Sequence, residues 1–168
     1  MEIGTFYIDG EFVTPKGTEK IALVNPATEE EIGFVIAGNE EDVNLAVEAA
    51  NKAFSKASSL TLEERKTILT EILEGMAARR DDFAKAISEE MGAPMKVAAG
   101  AQYGSGAIHF KNTLAIIDQF PFQENHGNIT INKLPIGPVG MITPWNWPLN
   151  QICTKIASAV AAGTSFVA

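Results

Sequence analysis

The sequence predicts an α/β fold, and three observations lead to this prediction. The stretch Phe6 to Val13 places Asp9-Gly10 between apolar residues, which is typical of a tight β-hairpin. Segments with helical apolar spacing then fill much of residues 39–117. Near the end, the strand-like Val139 to Thr143 precedes the helix-like Leu149 to Ala162. Such a strand–turn–helix junction is where α/β enzymes place cofactors and reacting groups.

The segment after the hairpin predicts a turn, a strand and a first helix. Residues 24–28 (VNPAT) predict the turn, and Ile32 to Ile36 predict the short strand. Asn39 is expected to cap the helix, because three acidic residues follow it in the first turn, where negative charge suits the helix dipole. One face of this helix is expected to be buried, through Val43, Ala46, Val47, Ala50 and Phe54.

Two further helices are predicted before a proline stop. Thr61 and Glu64 have the spacing of a capping box at the start of the second helix. A third helical pattern runs from Asp81 to Glu90 and ends at Gly92-Ala93-Pro94. The apolar stripe of the second helix comprises Ile68, Leu69, Ile72, Leu73 and Met76.

A long helix is predicted from about Met95 to Ile117, although it carries Gly100, Gly104 and Gly106. Each glycine costs about 1 kcal/mol against alanine in a helix interior, so we expect another backbone to approach closely there. The Gly-Ser-Gly run at 104–106 follows no strand and lacks a third glycine, which argues against a dinucleotide-binding loop.

The last part of the chain predicts strands. Asn128 to Leu134 alternates β-branched with polar residues and is expected to be half exposed and able to pair with another chain. Val139 to Ile142 is apolar enough for a buried parallel strand, with Ser165 to Val167 as its one sequential partner.

The composition limits the classes of protein to which this chain can belong. The 168 residues are 46% hydrophobic, enough for one ordinary core, and the net charge of −8 and pI near 4.8 argue against nucleic-acid binding. Cys153 is the only cysteine, so an intrachain disulfide is excluded and a metal site is not expected. The first residues lack the pattern of a signal peptide, and Ile156 to Ala168 is too short to span a bilayer. We therefore expect a cytoplasmic protein without a membrane partner.

Asn146 is the candidate functional residue of the junction Thr143 to Pro148 (TPWNWP). Its neutral amide can donate to developing negative charge beside two tryptophans and two prolines that stiffen the loop. Two alternatives remain open: Asn146 as a turn former or helix N-cap, and Trp145 and Trp147 as core anchors or a sugar-stacking surface.

Other candidates for chemistry are weaker. Cys153 falls at helical spacing with Leu149 and Ile156, which predicts a small buried hydrophobe rather than a nucleophile. His109 and His126 have no partner cluster in the sequence. Glu89 and Glu90 end a helix and are expected to be solvated.

Residues 138–148 (PVGMITPWNWP) resemble the strand and loop that face the nicotinamide cofactor in the aldehyde dehydrogenase superfamily. Three shorter matches lie in the same order along the chain. Ile8 to Glu11 resembles the opening hairpin of the family and Asn25 to Thr28 its Asn-Pro-Ala-Thr turn. Glu90 to Pro94 resembles its Glu-x-Gly-Lys-Pro segment, with Ala93 in place of lysine. The resemblance covers essentially the whole chain but only the first part of the family's length.

The resemblance implies a helical N-terminal part, an oligomerisation β-arm and the start of a Rossmann-like parallel sheet. It implies that a cysteine thiolate attacks an aldehyde, that NAD or NADP accepts the hydride, and that a glutamate-activated water releases the carboxylic acid. Asn146 matches the catalytic asparagine of the oxyanion hole. Ile142, Thr143, Pro144 and Trp145 match cofactor-binding positions, partly through main-chain groups.

The helix after the loop suggests a substrate class. Trp147, Asn150, Gln151 and Thr154 recur at i, i+3, i+4 and i+7, so they share a face. By the resemblance, these positions line the aldehyde tunnel. Three polar side chains there favour small or polar aldehydes over long alkyl ones.

The resemblance also implies a division of the chain. Residues 1–118 would form the hairpin and helices that pack on the cofactor domain, 119–137 the oligomerisation β-arm, and 138–168 the first strand, loop and helix of a truncated dinucleotide-binding domain. The family's nucleophilic cysteine and glutamate base lie beyond position 168, so we expect this chain to be inactive alone. The complete enzyme is expected to be a homo-oligomer, a dimer or tetramer. The alternative is a non-enzymatic assembly module that pairs through the helices and Asn128 to Leu134.

Overall fold

Five short strands precede the helices in the computed structural model, which describes residues 2–168. The fifth strand is the centre of a three-stranded sheet, parallel to the first and antiparallel to the fourth. The second and third strands form a separate hairpin. Their bounds are β1 (Glu2–Ile3), β2 (Phe6–Ile8), β3 (Glu11–Val13), β4 (Lys20–Val24) and β5 (Glu31–Ile36).

The predicted turns are confirmed. Asp9 and Gly10 have φ values of 52° and 86°, and Ile8 pairs with Glu11 across them, which is the two-residue hairpin expected of an Asp-Gly pair. In the second turn, the Asn25 side chain accepts a hydrogen bond from the Ala27 N–H at 2.9 Å. Its carbonyl accepts one from the Glu29 N–H at 2.8 Å.

The first three helices begin and end close to the predicted residues. Asn39 and Thr61 both form capping boxes, with Asp42 and Glu64 as the reciprocal partners. Gly92 ends the third helix in the left-handed conformation, with φ of 72°. The bounds are α1 (Glu40–Ser59), α2 (Leu62–Ala78) and α3 (Arg80–Met91).

The expected buried face of α1 is only partly observed. Ala50 is buried and Ala46 and Phe54 are half-buried, but Val43 is 56% exposed and Val47 is also exposed. The prediction was wrong for the two valines because the hydrophobic core forms between other helices and leaves this face uncovered.

The long glycine-containing helix is present but is interrupted by a π-helical turn. It consists of α4 (Met95–Val97), the π segment Ala98–Gln102 and α5 (Tyr103–Ile116), followed by a 3₁₀ turn at Ile117–Gln119. The expected close approach occurs at only one of the three glycines. Nothing lies within 4 Å of a Cβ built on Gly100 or Gly104, whereas one on Gly106 would meet Leu149.

The remaining strands form two pairs around the last helix. A hairpin joins β6 and β7, and β8 pairs in parallel with β9, as predicted for Ser165 to Val167. The prediction of a buried strand over Val139 to Ile142 was wrong: the strand is only two residues long, Val139 is half-buried and Gly140 is exposed. Ile142 lies beyond it with 92% of its surface exposed. The bounds are β6 (Gln123–His126), β7 (Ile129–Asn132), β8 (Val139–Gly140), α6 (Pro148–Ala162) and β9 (Phe166–Val167).

The hydrophobic core lies between α2, α3, α5 and α6. Phe110 and Leu69 are its largest fully buried side chains. Burial of such side chains supplies about 1.5–3 kcal/mol each. This core places α6, and with it the junction that precedes α6, on a rigid base. Its other buried members are Met76, Ala84, Ile87, Ala93, Ala98, Tyr103, Ala107, Ile117, Leu149, Cys153 and Ala157.

Candidate functional site

The candidate site lies where the chain leaves the carboxyl end of β8. The Val139 N–H donates to the Ser165 carbonyl at 3.0 Å, and the Met141 N–H donates to the Val167 carbonyl at 2.7 Å. These bonds hold the two parallel strands together up to the point where residues 142–147 begin. Ligands of open parallel sheets bind outside the carboxyl ends of the strands, so this loop occupies the position of a binding site.

Residues 142–147 form an exposed loop. Trp145 has 80% of its surface exposed, and Asn146 is also exposed. Within residues 2–168, the Asn146 side chain makes no hydrogen bond. Its amide therefore has its donor capacity free for a ligand. Among residues 2–168, Trp145 does not act as a core anchor.

The helix after the loop begins without a side-chain cap. Trp147, not Asn146, is the N-cap residue, and Pro148 is the first helical residue. The Trp147 carbonyl accepts the first helical bond, from the Gln151 N–H at 2.9 Å. Asn146 thus directly precedes a helix N-terminus, whose partial positive charge favours an anionic group. The N-cap alternative for Asn146 is not observed.

The predicted tunnel residues lie together in the first turns of α6. Trp147 is 39% exposed, whereas Asn150, Gln151 and Thr154 are partly buried. The Asn150 amide donates to the Ser105 carbonyl of α5 at 3.3 Å, so part of its polar capacity is used inside the protein. In the described chain, the Gln151 and Thr154 side chains make no hydrogen bonds and keep their polar groups available.

The loop borders an apolar groove of about 600 Å³. Trp145 lines one side, and Glu90 lies at the opposite helix. Burial raises the pKa of the Glu90 carboxyl, and the nearby Glu89 charge raises it further. Glu90 is nevertheless exposed, as the sequence predicted, so what the sequence missed is the upward shift of its pKa. No sequence pattern shows this, because α3 and α6 are brought together only by the fold. The other lining residues are Pro26, Phe83, Ala86, Ile87, Met91, Pro148, Leu149 and Ile152.

Cys153 lies in the second turn of α6, but its surroundings are not those of a nucleophile. It is 3% exposed, and burial raises the pKa of its thiol from 9.0 to about 11. A reactive cysteine needs a lowered pKa and access to solvent. The structure therefore agrees with the predicted role of Cys153 as a packed hydrophobe.

The main chain of the loop has polar groups that could hold a ligand such as the nicotinamide cofactor implied by the resemblance. Backbone N–H and C=O groups of residues 142–146 make no hydrogen bonds within residues 2–168 and are exposed, so they can pair with a ligand.

Among residues 2–168, no group of three or more His, Cys, Asp or Glu side chains could hold a metal ion. In that range no helix has the length and apolar character needed to span a membrane.

Comparison with known proteins agrees with this geometry. Residues 12–168 match the sequence profile of the aldehyde dehydrogenase family. The chain is 43% identical over 163 residues to a 3-succinoylsemialdehyde-pyridine dehydrogenase of a Pseudomonas species, covering 96% of this chain and 34% of that protein.

Two crystal structures are similar throughout this chain. An aldehyde dehydrogenase from Bartonella henselae is 36% identical with a TM-score of 0.95, covering 99% of this chain and 36% of that one. A mutant aldehyde dehydrogenase C from Pseudomonas syringae, in complex with NAD⁺ and octanal, is 41% identical with a TM-score of 0.94, covering 96% and 33%. The chain thus spans about a third of the length of these relatives. The chain belongs to the aldehyde dehydrogenase family.

Proposed function

We propose that this chain supplies the oxyanion-stabilising amide and part of the nicotinamide site of an enzyme that oxidises an aldehyde to a carboxylic acid. The observation that carries the proposal is Asn146, an exposed amide with no hydrogen bond within residues 2–168, located between the end of β8 and the start of α6. The proposal includes the division of the chain into three parts. Residues 1–118 are the hairpin and helices that pack on the cofactor domain, 119–137 are the oligomerisation β-arm, and 138–168 are the first strand, loop and helix of the dinucleotide-binding domain.

Asn146 acts on the charge that develops during the reaction. When a nucleophile attacks the aldehyde carbonyl, the oxygen becomes negative, and the Asn146 Nδ2–H donates a hydrogen bond to it. The N-terminus of α6 adds a favourable field from the next residues. Because two prolines and two tryptophans stiffen the backbone around this donor, little reorganisation is needed as the charge appears.

The main chain and side chains of Ile142, Thr143, Pro144 and Trp145 orient the nicotinamide cofactor beside this oxygen. The cofactor, NAD or NADP, would accept the hydride when bound. One related structure contains NAD⁺, which supports a nicotinamide cofactor without distinguishing the two forms for this chain.

Replacement of Asn146 tests the proposal in the full-length protein that contains this chain. Asn146→Ala should lower kcat by about 10²–10³, equivalent to about 3–4 kcal/mol, with little change in KM or in the Kd for NAD. Steady-state kinetics and cofactor titration measure these quantities. Asn112→Ala, at an exposed asparagine of α5, is the matched control and should leave kcat unchanged. An unchanged kcat in Asn146→Ala would contradict the assigned role.

We further propose that the substrate is a small or polar aldehyde. The related proteins do not decide this point, since one is bound to octanal and another is named for a pyridine semialdehyde. The choice therefore depends on the residues of this chain. Gln151 and Thr154 offer unpaired polar groups within the described chain beside Trp147, and their desolvation by an alkyl chain would cost free energy.

Paired substrates test this specificity. Gln151→Leu combined with Thr154→Val should raise the ratio of kcat/KM for octanal to that for a short polar aldehyde by about 10-fold. Ser158→Ala, at an exposed position further along α6, is the control. A wild-type enzyme that strongly prefers octanal would refute the proposal.

The hairpin β6–β7 favours a second role in assembly, as the homo-oligomer arm of the complete enzyme or as a non-enzymatic module. All residues of β7 are exposed, including Ile129 and Ile131. Exposed apolar residues on a hairpin with free edges are suited to pairing with a second copy of the chain. Leu134 and Ile136, which follow β7 in the chain, are also exposed.

A further inference from the structure

The first turn of α6 packs against α5 at Gly106, which has no side chain. A Cβ built on Gly106 would lie 2.6 Å from Leu149 Cγ and 3.2 Å from the Leu149 carbonyl oxygen. Leu149 is buried in the core, so its side chain cannot swing away freely. Any residue larger than glycine at 106 must therefore push the start of α6 away from α5.

A hydrogen bond fixes the same contact. The Asn150 Nδ2 donates to the Ser105 carbonyl at 3.3 Å, one residue from Gly106. The Ser105 hydroxyl in turn donates to the Gln102 carbonyl at 2.8 Å, at the end of the π-helical turn. Two contacts thus hold the start of α6 to consecutive residues of α5. Leu149 packs on Gly106, and Asn150 is hydrogen-bonded to Ser105.

The loop before α6 has no comparable support of its own. Between the Met141 N–H bond to β9 and the Trp147 carbonyl bond within α6, residues 142–146 make no hydrogen bond within residues 2–168. The N-terminus of α6 also lacks a side-chain cap. At the C-terminal end of the loop, how deeply α6 packs on α5 therefore determines the position of Asn146, three residues before Leu149.

We propose that Gly106 is a positioning residue for the Asn146 amide. The close approach that Gly106 permits, held by the bond between Asn150 and Ser105, sets the depth of the first turn of α6 and so the place of the oxyanion donor. This inference rests on the proposed function of Asn146. Misplacement of a catalytic group by about 1 Å can cost about 10²-fold in rate.

A double-mutant cycle in the full-length protein tests the inference. Gly106→Ala should lower kcat about 10- to 100-fold while KM stays within about 2-fold. In an Asn146→Ala background, the same substitution should change kcat by less than about 2-fold, because its target is already absent. Gly104→Ala is the matched control, since a Cβ there meets nothing within 4 Å, and it should leave kcat unchanged.

The outcomes separate the two proposals. Equal losses of kcat from Gly106→Ala in both backgrounds, or no loss in either, would overturn the positioning role while leaving Asn146 in place. An Asn146→Ala enzyme with wild-type kcat would overturn the proposed function and this inference together. If Gly106→Ala is insoluble, Gly106→Ala combined with Leu149→Ala removes the clash with the Leu149 side chain and leaves only the 3.2 Å approach to the Leu149 carbonyl oxygen. Leu149→Ala alone is the reference, because it carries the cost of the lost core side chain. The double variant should have a kcat within about 3-fold of this reference, and a larger difference would overturn the inference.

Discussion

Asp42 joins the loop before β4 to the start of α1. Its carboxylate is 4% exposed and accepts hydrogen bonds from the backbone N–H groups of Lys16 at 2.7 Å, Gly17 at 2.9 Å and Asn39 at 3.0 Å. Burial alone would raise the pKa of Asp42, but the three hydrogen bonds and the Lys16 charge outweigh it and lower the pKa below the ordinary 3.8. The ionised form is therefore favoured in the folded protein.

Asp42→Asn should destabilise the protein at neutral pH. Since the folded-state pKa is lowered, the stabilisation is fully present above the unfolded-state value and is lost as pH falls through the lower folded-state value. The difference in Tm between wild type and Asp42→Asn should thus be largest near pH 7 and shrink below the ordinary pKa of 3.8. Thermal unfolding across this range measures it, with Asp9→Asn, an exposed partner of Lys52, as control. A pH-independent difference would contradict the account.

At the residue scale, the sequence predicts contacts that are local and misses those that are not. The Asn39 cap follows from the acidic residues beside it, and the structure confirms it. The bonds from Lys16 and Gly17 to Asp42 join residues 26 and 25 positions apart, for which no periodicity gives a signal. The exposure of Asn146 agrees with a ligand-facing loop, but its role stays a prediction.

The β6–β7 hairpin has little cover from the rest of the chain, since every residue of β7 is exposed. Within the hairpin, Glu124 pairs with Lys133 and with His126, and these contacts lower the pKa of the Glu124 carboxyl. The Thr130 hydroxyl donates to the Asn125 side chain at 2.8 Å. Polar contacts therefore stabilise the hairpin itself and leave the isoleucines of β7 uncovered.

Ile131→Asp should weaken self-association of the full-length protein, because a charge in an apolar contact loses its hydration. Native mass spectrometry should show a shift towards the monomer over a concentration series. Asn132→Asp, whose side chain points to the opposite face of β7, is the control and should leave the oligomer intact. An unchanged mass distribution for Ile131→Asp would refute the arm as the contact surface.

At the element scale, local signals predict where helices begin and end more accurately than apolar spacing predicts which faces are buried. The capping residues of α1 and α2 and the Gly92 stop were predicted correctly because each rests on local backbone chemistry. The exposed valines of α1 and the open space at Gly100 and Gly104 could not be foreseen. Burial depends on which elements pack together, and spacing alone does not contain that information.

In the whole molecule, one core supports an exposed site. Helices α2, α3, α5 and α6 bury the apolar residues, and Cys153 lies inside this core in the second turn of α6. Arg65 of α2 donates to the Ala161 carbonyl at 3.1 Å and so ties α2 to the end of α6. Both ends of α6 are thus fixed to neighbouring helices.

The 168-residue chain assayed alone should not oxidise aldehydes. With a thiol pKa of about 11, only about one Cys153 side chain in a thousand is ionised at pH 8, and the sulfur is buried. NADH absorbance after addition of aldehyde and NAD should stay at the level of the blank, with the full-length protein as positive control. Turnover by the isolated chain that disappears in Cys153→Ala would show that the assignment of Cys153 is wrong.

The central claim is that the Asn146 amide faces the oxygen of the reacting aldehyde, and a crystal structure of the full-length protein with cofactor and an aldehyde-derived adduct tests it most directly. The account predicts that Asn146 Nδ2 lies about 2.7–3.1 Å from the former carbonyl oxygen. An Asn146 side chain turned towards bulk solvent, beside an occupied site in which other groups donate to that oxygen, would contradict it.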